Sequence, residues 1–244
     1  MLISQFPQVN GIGLYQTDSS SANATAVGQR FQISGGDSEV VLVKAGAVGI
    51  VPGKLYQSPA IVAAHQGLAV SSYEAPSSAP FEALATITMG ATGVTANQYQ
   101  GGFLVVVSGT GVGQKATILS NTAATATNNS IFTLQDVLAT ALDNTSVVNV
   151  FPNAYNGVIV NPTTATNSPV GISYYAIPAG EYGYLATKGE WACLNQGGTA
   201  IGLGLAPSSS VAGALATAGA TLNQVAAASQ AGVDGDYSVV KVNL

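Results

Sequence analysis

Charge is what this sequence has least of. Its 244 residues include six basic and eleven acidic side chains, 7% of the chain, where an ordinary soluble domain carries about 25%. The polar surface must therefore be built from Ser, Thr, Asn, Gln and backbone. Such a surface repels neighbours weakly and suits a protein packed against copies of itself or against another shell. The six basic residues are scattered from Arg30 to Lys241 and the net charge is −5. A phosphate-tracking surface needs clustered Lys and Arg to release counterions, so no nucleic-acid partner is expected. A single cysteine, Cys193, excludes an intrachain disulfide. Beside Trp191 it reads as a small buried apolar residue. His65 is the only histidine. A Ser-His-Asp triad would have to run through it, and no G-x-S-x-G elbow accompanies it; a zinc site would have only Cys193 to add. Long apolar runs are also missing. The stretch Val211–Gly232 is mostly Ala broken by Thr, Asn, Gln, Ser and Gly, too weak for a membrane-spanning helix. The first residues show neither a basic segment nor an apolar core of a signal peptide. A soluble protein with no membrane partner is expected.

Apolar residues are plentiful at 47%, which argues against a disordered chain. Most fall in short runs separated by Gly and Pro. Phe31 and Ile33 alternate with polar neighbours, Gly35-Gly36-Asp37 supplies a hairpin turn, and Glu39–Lys44 returns as a Val-rich strand. Pro52-Gly53 marks a further turn, and Ala60–Val70 is a candidate strand. Glu74–Pro80 (EAPSSAP) is the clearest linker. Beyond it Ala85–Met89, Phe103–Val107, Ala116–Leu119, Ile131–Leu134 and Val147–Phe151 read as strands, and Pro152 closes the block. Leu134, Leu138 and Leu142 repeat at i+4, which predicts a helical turn over Gln135–Leu142. Strands follow at Val158–Val160, Ile172–Ile177, Tyr182–Thr187, Trp191–Leu194, Ile201–Leu205 and Tyr237–Leu244. In the last of these Val240, Val242 and Leu244 share a side. The Ala-rich stretch Val211–Gln230 is read as an irregular connection containing a strand, because Gly213 and Gly219 each cost a helix about 1 kcal/mol.

The expected fold is all-β: a β-barrel or sandwich domain from residues 27–75 and 152–244, a smaller inserted β-module at 76–151, and an extended N-terminal arm at 1–26. The arm, charge-free but for Asp18, would be ordered only by a binding partner. Its extended reach is at most about 90 Å.

Several stretches resemble chemistry. In Gly101–Ser120 (GGFLVVVSGTGVGQKATILS) the segment GTGVGQK suggests a phosphate-binding loop. A P-loop needs G-x-x-x-x-G-K followed by Ser or Thr and then a helix. Here Gln114 separates Gly113 from Lys115, Ala116 replaces the hydroxyl, and the next segment is strand-like. The reading is a glycine corner between two strands. Asp234-Gly235-Asp236 lacks the further acidic positions of a calcium loop and reads as a turn. The carboxylate pairs Asp37 with Glu39 and Glu181 with Glu190 have the composition of a glycosidase pair, but charges that discourage edge pairing are the simpler account. Trp191 reads as a core aromatic, and Lys115 as a solvated or interface charge. No catalytic, cofactor-binding or metal-ligating residue is assigned, no cofactor is expected, and the chain is read as non-enzymatic.

Four stretches, residues 28–59 (GQRFQISGGDSEVVLVKAGAVGIVPGKLYQSP), 98–123 (QYQGGFLVVVSGTGVGQKATILSNTA), 155–194 (YNGVIVNPTTATNSPVGISYYAIPAGEYGYLATKGEWACL) and 231–244 (AGVDGDYSVVKVNL), resemble structural proteins of tailed bacteriophages, of the capsid decoration or cement type. The resemblance rests on glycine and strand pattern. It implies a non-enzymatic β-fold that binds the outside of the major capsid protein lattice as a homo-oligomer, often a trimer in such proteins, and stabilises the head. The implied location is the capsid exterior of a virion assembled in the host cytoplasm. The alternative is a tail or fibre component contacting the host surface, with Tyr73, Tyr99 and Tyr155 available for sugars, although the sequence shows little aromatic clustering.

Overall fold

The computed structural model describes residues 13–33, 37–76, 82–164, 166–219 and 224–244. The protein is all-β. It divides into two compact units, one formed by Met1–Ala60 with Ala154–Leu244, the other by Ile61–Asn153.

In chain order the first unit contributes β1 (Arg30–Gln32), β2 (Glu39–Ala45) and β3 (Leu55–Gln57). The second unit follows with β4 (Leu68–Glu74), β5 (Ala83–Thr88), β6 (Phe103–Ser108), β7 (Lys115–Asn121), β8 (Asn129–Leu134) and β9 (Val147–Phe151). The first resumes with β10 (Asn156–Val160), β11 (Pro169–Ile172), β12 (Tyr182–Leu194) and β13 (Gly204–Pro207). It ends with β14 (Leu215–Thr217), β15 (Ala226–Ala228) and β16 (Tyr237–Asn243).

The second unit is a closed barrel in the order β4-β5-β8-β7-β6-β9. Period-two alternation fills it. Ala85 and Ile87 from β5, Leu104 and Val106 from β6, Phe132 and Leu134 from β8, and Val148 and Val150 from β9 are buried in one cluster, while their neighbours point outward. The first unit is a single sheet, β1-β2-β10-β3-β11-β12-β16-β15-β13-β14. An additional pairing of β2 with β12 closes β2, β10, β3, β11 and β12 into a ring. Val41, Val43, Tyr56, Val158 and Leu185 form its core. A second layer of apolar contact gathers Cys193, Leu205, Leu215, Val240 and Val242.

Several expectations are corrected. Residues 13–26 are no free arm; residues 1–12 lie outside the described residues. Leu14 and Ala26 are buried against Val40, Leu42 and Tyr184. Tyr174 and Tyr175 donate their hydroxyls to the carbonyls of Leu14 (2.9 Å) and Gln16 (3.0 Å). Asp18 exchanges backbone hydrogen bonds with Tyr182, and the buried Asn23 amide donates to Asp18 Oδ2 at 2.9 Å. The chain itself supplies the partners that order this segment. The boundary of the inserted unit also moves, to Ile61, because β4 pairs with β5 and β9. Glu74–Pro80 therefore falls within the second unit rather than between the two. Glu74 pairs with Leu84 across the β4–β5 hairpin, whose residues 77–81 lie outside those described. The turn residues Gly35 and Gly36 lie outside them too; β1 and β2 do pair antiparallel on either side. Ala60–Val70 is a strand only from Leu68; Ala63–His65 is a 3-10 turn. Gln135–Leu142 forms no helix. The i+4 leucines are buried all the same, Leu134 from a strand and Leu138 and Leu142 from the irregular segment after it.

Candidate functional site

The glycine corner is built from internal hydrogen bonds. Gly113 N–H donates to the Val106 carbonyl (2.9 Å), Val112 N–H to Gly109 (3.2 Å) and Gln114 N–H to Gly111 (3.2 Å). The Gln114 side chain exchanges bonds with both backbone groups of Thr140, at 3.0 Å each. A phosphate would need these same amides, and β7 begins where a P-loop needs a helix. Lys115 lies 4.2 Å from the centroid of the Phe103 ring, which in turn stacks on Phe151 at 4.8 Å. The cation covers an aromatic pair on the barrel wall.

His65 is 1% exposed. Its Nδ1 meets the Tyr99 hydroxyl, and its Nε2 meets the Thr92 carbonyl (3.2 Å) and Oγ1 (3.1 Å). The carbonyl can only accept, so Nε2 carries a proton, and in the neutral ring Nδ1 then accepts from Tyr99. Burial pushes the Tyr99 phenol up to about 12, which fits a hydroxyl held as a donor. The arrangement ties the 3-10 turn to the barrel interior and presents neither ring nitrogen to solvent.

Of the candidate carboxylate pairs, Asp37 and Glu39 meet on one lysine, whereas Glu181 and Glu190 lie apart along one strand. Glu181 precedes β12 and Glu190 lies within it; eight residues stand between them, about 30 Å along an extended strand, well beyond glycosidase spacing. Asp37 and Glu39 both face Lys188, at 2.6 and 4.0 Å. The Lys188 ammonium holds the Asp37 carboxyl below its ordinary range, and Asp37 in return raises Lys188. Asp234 Oδ1 accepts the Gly197 N–H at 2.6 Å, and the Asp236 carbonyl accepts Asn195 N–H at 2.9 Å. These residues bind a turn to its neighbour. Among the described residues no group of three or more His, Cys, Asp or Glu converges as a metal site would require. Cys193 is fully buried and its thiol is pushed up to about 12 by desolvation. A thiol buried and desolvated in this way is a poor nucleophile.

Aromatic clustering is where the sequence reading falls short. Tyr15 meets Tyr174 edge-on at 5.3 Å, Tyr174 stacks on Trp191 at 4.7 Å, and Tyr175 lies 5.0 Å from Tyr174. Burial and the neighbouring phenols drive the Tyr174 hydroxyl strongly upward. Trp191 is half-buried, its Nε1 donating to the Lys188 carbonyl at 2.8 Å. The doublet Tyr174-Tyr175 was the available signal, but Tyr15 and Trp191 reach it only through the fold. Of the tyrosines considered for sugar contact, Tyr99 is 1% exposed, and the Tyr73 hydroxyl accepts the Leu138 N–H at 2.9 Å. Tyr155 lies against the ring cluster of the first unit, with its hydroxyl 3.4 Å from Arg30.

No family model, curated protein or solved structure matches this chain.

Two clefts of about 460 Å³ lie in the first unit, and one of them is lined by Lys188, Gln224, Ala226, Ala227, Lys241 and Asn243. The other is lined by Val51, Pro52, Gly53, Ser173, Tyr174, Ala192 and Tyr237. The Ser173 hydroxyl is already engaged with the carbonyls of Val51 and Lys54. Apart from the hydroxyls of Ser173, Tyr174 and Tyr237, the side chains of this cleft's wall are apolar.

Proposed function

We propose that this protein is a non-enzymatic virion structural protein of the capsid decoration type, bound to the outer face of a phage head. The observation that carries this reading is the character of the exposed side chains. Large aliphatic residues stand out from both units: Val48 at 79%, Ile201 at 70% and Val233 at 65% in the first, and Val112 at 64% in the second. They belong to a chain with only 7% charged residues. Weak apolar and amide contacts of this kind gain strength when many copies engage a repeating lattice at once. The resemblance of four stretches to decoration proteins points the same way.

Two measurements test the proposal. Purified protein mixed with expanded heads of the virus that encodes it should co-sediment with them, and a reconstruction of the particle should show its density on the head exterior. Protein that stays in the supernatant, or density confined to the tail tip, overturns it.

A further inference from the structure

One sheet face in the first unit carries a pattern that a second copy of the chain would complete. Strands β12 and β16 run antiparallel in direct register: Leu194 faces Tyr237, Ala192 faces Val239, Glu190 faces Lys241 and Lys188 faces Asn243. The partners of each row lie side by side on the same surface of the sheet. On β16 this surface is exposed at every second residue, while Ser238, Val240 and Val242 point inward. Tyr237 is 55% and Val239 36% exposed, and Ala192 and Glu190 are exposed as well. The apolar cleft beside Val51 opens at the Tyr237 end. The salt bridges among the described residues are those of Lys188 with Asp37 and Glu39; Glu190 and Lys241 form none, although they are direct cross-strand neighbours.

We propose that this face is a two-fold interface between copies of the chain. The axis lies between the two faces and runs parallel to the strands, midway between β12 and β16. Rotation about it lays β16 of each copy over β12 of the other while keeping every row on its own level. Lys241 then meets the partner's Glu190 and Glu190 the partner's Lys241, giving two intermolecular ion pairs from one cross-strand pair. On the same rows Val239 covers the small Ala192, and Tyr237 covers Leu194. The contact is isologous, as a closed dimer requires. An axis perpendicular to the strands would lay the Tyr237 end on the charged end and bury unpaired charge, so the row order selects one geometry. The interface needs no capsid lattice and stands apart from the decoration reading. Monomers that bind heads overturn it alone, and dimers that ignore heads overturn the decoration reading alone.

The test is charge reversal with rescue, read by sedimentation velocity on the full chain. The unaltered protein should run as a dimer. Glu190→Lys and Lys241→Glu should each weaken association by at least about tenfold, and the double reversal should return it to within about threefold. Val239→Arg, placing an unpaired charge at the centre of the face, should give a monomer whose circular dichroism is unchanged. A monomeric parent, a trimer, a dimer indifferent to Val239→Arg, or a double reversal that fails to rescue while melting normally, each overturns the interface.

Discussion

At the scale of single residues, the glycines of the corner make the sharpest contrast. Gly109 and Gly113 both hold positive φ, +76° and +88°, a conformation that costs an L-residue about 1–2 kcal/mol. Their surroundings differ. A Cβ on Gly109 would lie 2.0 Å from the Thr145 carbonyl oxygen, whereas one on Gly113 would meet nothing within 4 Å. Gly113→Ala should therefore cost about 1–2 kcal/mol in denaturant unfolding, and Gly109→Ala distinctly more, because backbone must shift. Equal losses would refute the steric account. A motif scan ranks these glycines alike, since φ can be guessed from sequence and a neighbouring carbonyl cannot. The ion pair makes a second case. The folded Asp37 pKa is depressed by Lys188, so its contribution is present above the ordinary value of 3.8 and lost as pH falls through the lower folded value. Lys188 is raised, so its share is present below its ordinary value and lost only as pH rises through the higher folded one. Asp37→Asn should thus flatten the acid limb of the melting-temperature profile and leave the neutral region nearly level. An unaltered acid limb would show the pair contributes nothing.

Elements were legible where alternation is strict and misleading where another period intruded. Tyr237–Leu244 is readable because each second residue is apolar, and the observed β16 buries Ser238, Val240 and Val242. Leu134, Leu138 and Leu142 have helical spacing yet belong to a strand followed by an irregular crossing. Their spacing reflects three separate insertions into one barrel core, and single-sequence periodicity cannot distinguish these from a helix face. Leu138→Ala should cost about 2–5 kcal/mol in chemical unfolding. Val137→Ala, at a residue 43% exposed, should be nearly silent. A similar loss at both positions would mean the segment is held by its backbone. The N-terminal segment was misread for a related reason. Residues 13–26 are held in part by two tyrosine hydroxyls some 160 positions later, and no local pattern reveals that. The β12–β16 ladder is equally hidden from sequence: Glu190 and Lys241 become neighbours only through the register of two distant strands.

For the whole molecule, the two units are joined at positions that suit an insertion. The first unit is interrupted between β3 and β10, which are paired antiparallel with Gln57 facing Ile159. The second begins and ends in β4 and β9, also paired, with Leu68 facing Val148. Each unit therefore has its two connection points on adjacent strands, and neither sheet depends on the other for a hydrogen-bonded neighbour. Residues 61–153 expressed alone should fold to a β-rich, cooperatively melting protein, tested by circular dichroism and calorimetry. A fragment that remains unfolded would show that the barrel needs its host. The sole tryptophan, Trp191, and the sole cysteine, Cys193, both lie in β12 of the first unit. The chain thus carries two intrinsic reporters of the same half. Indole fluorescence and the trapping of a newly unmasked thiol will track the opening of that half alone. Any part of the far-ultraviolet signal that melts out of step with them belongs to the barrel, without a label having been introduced.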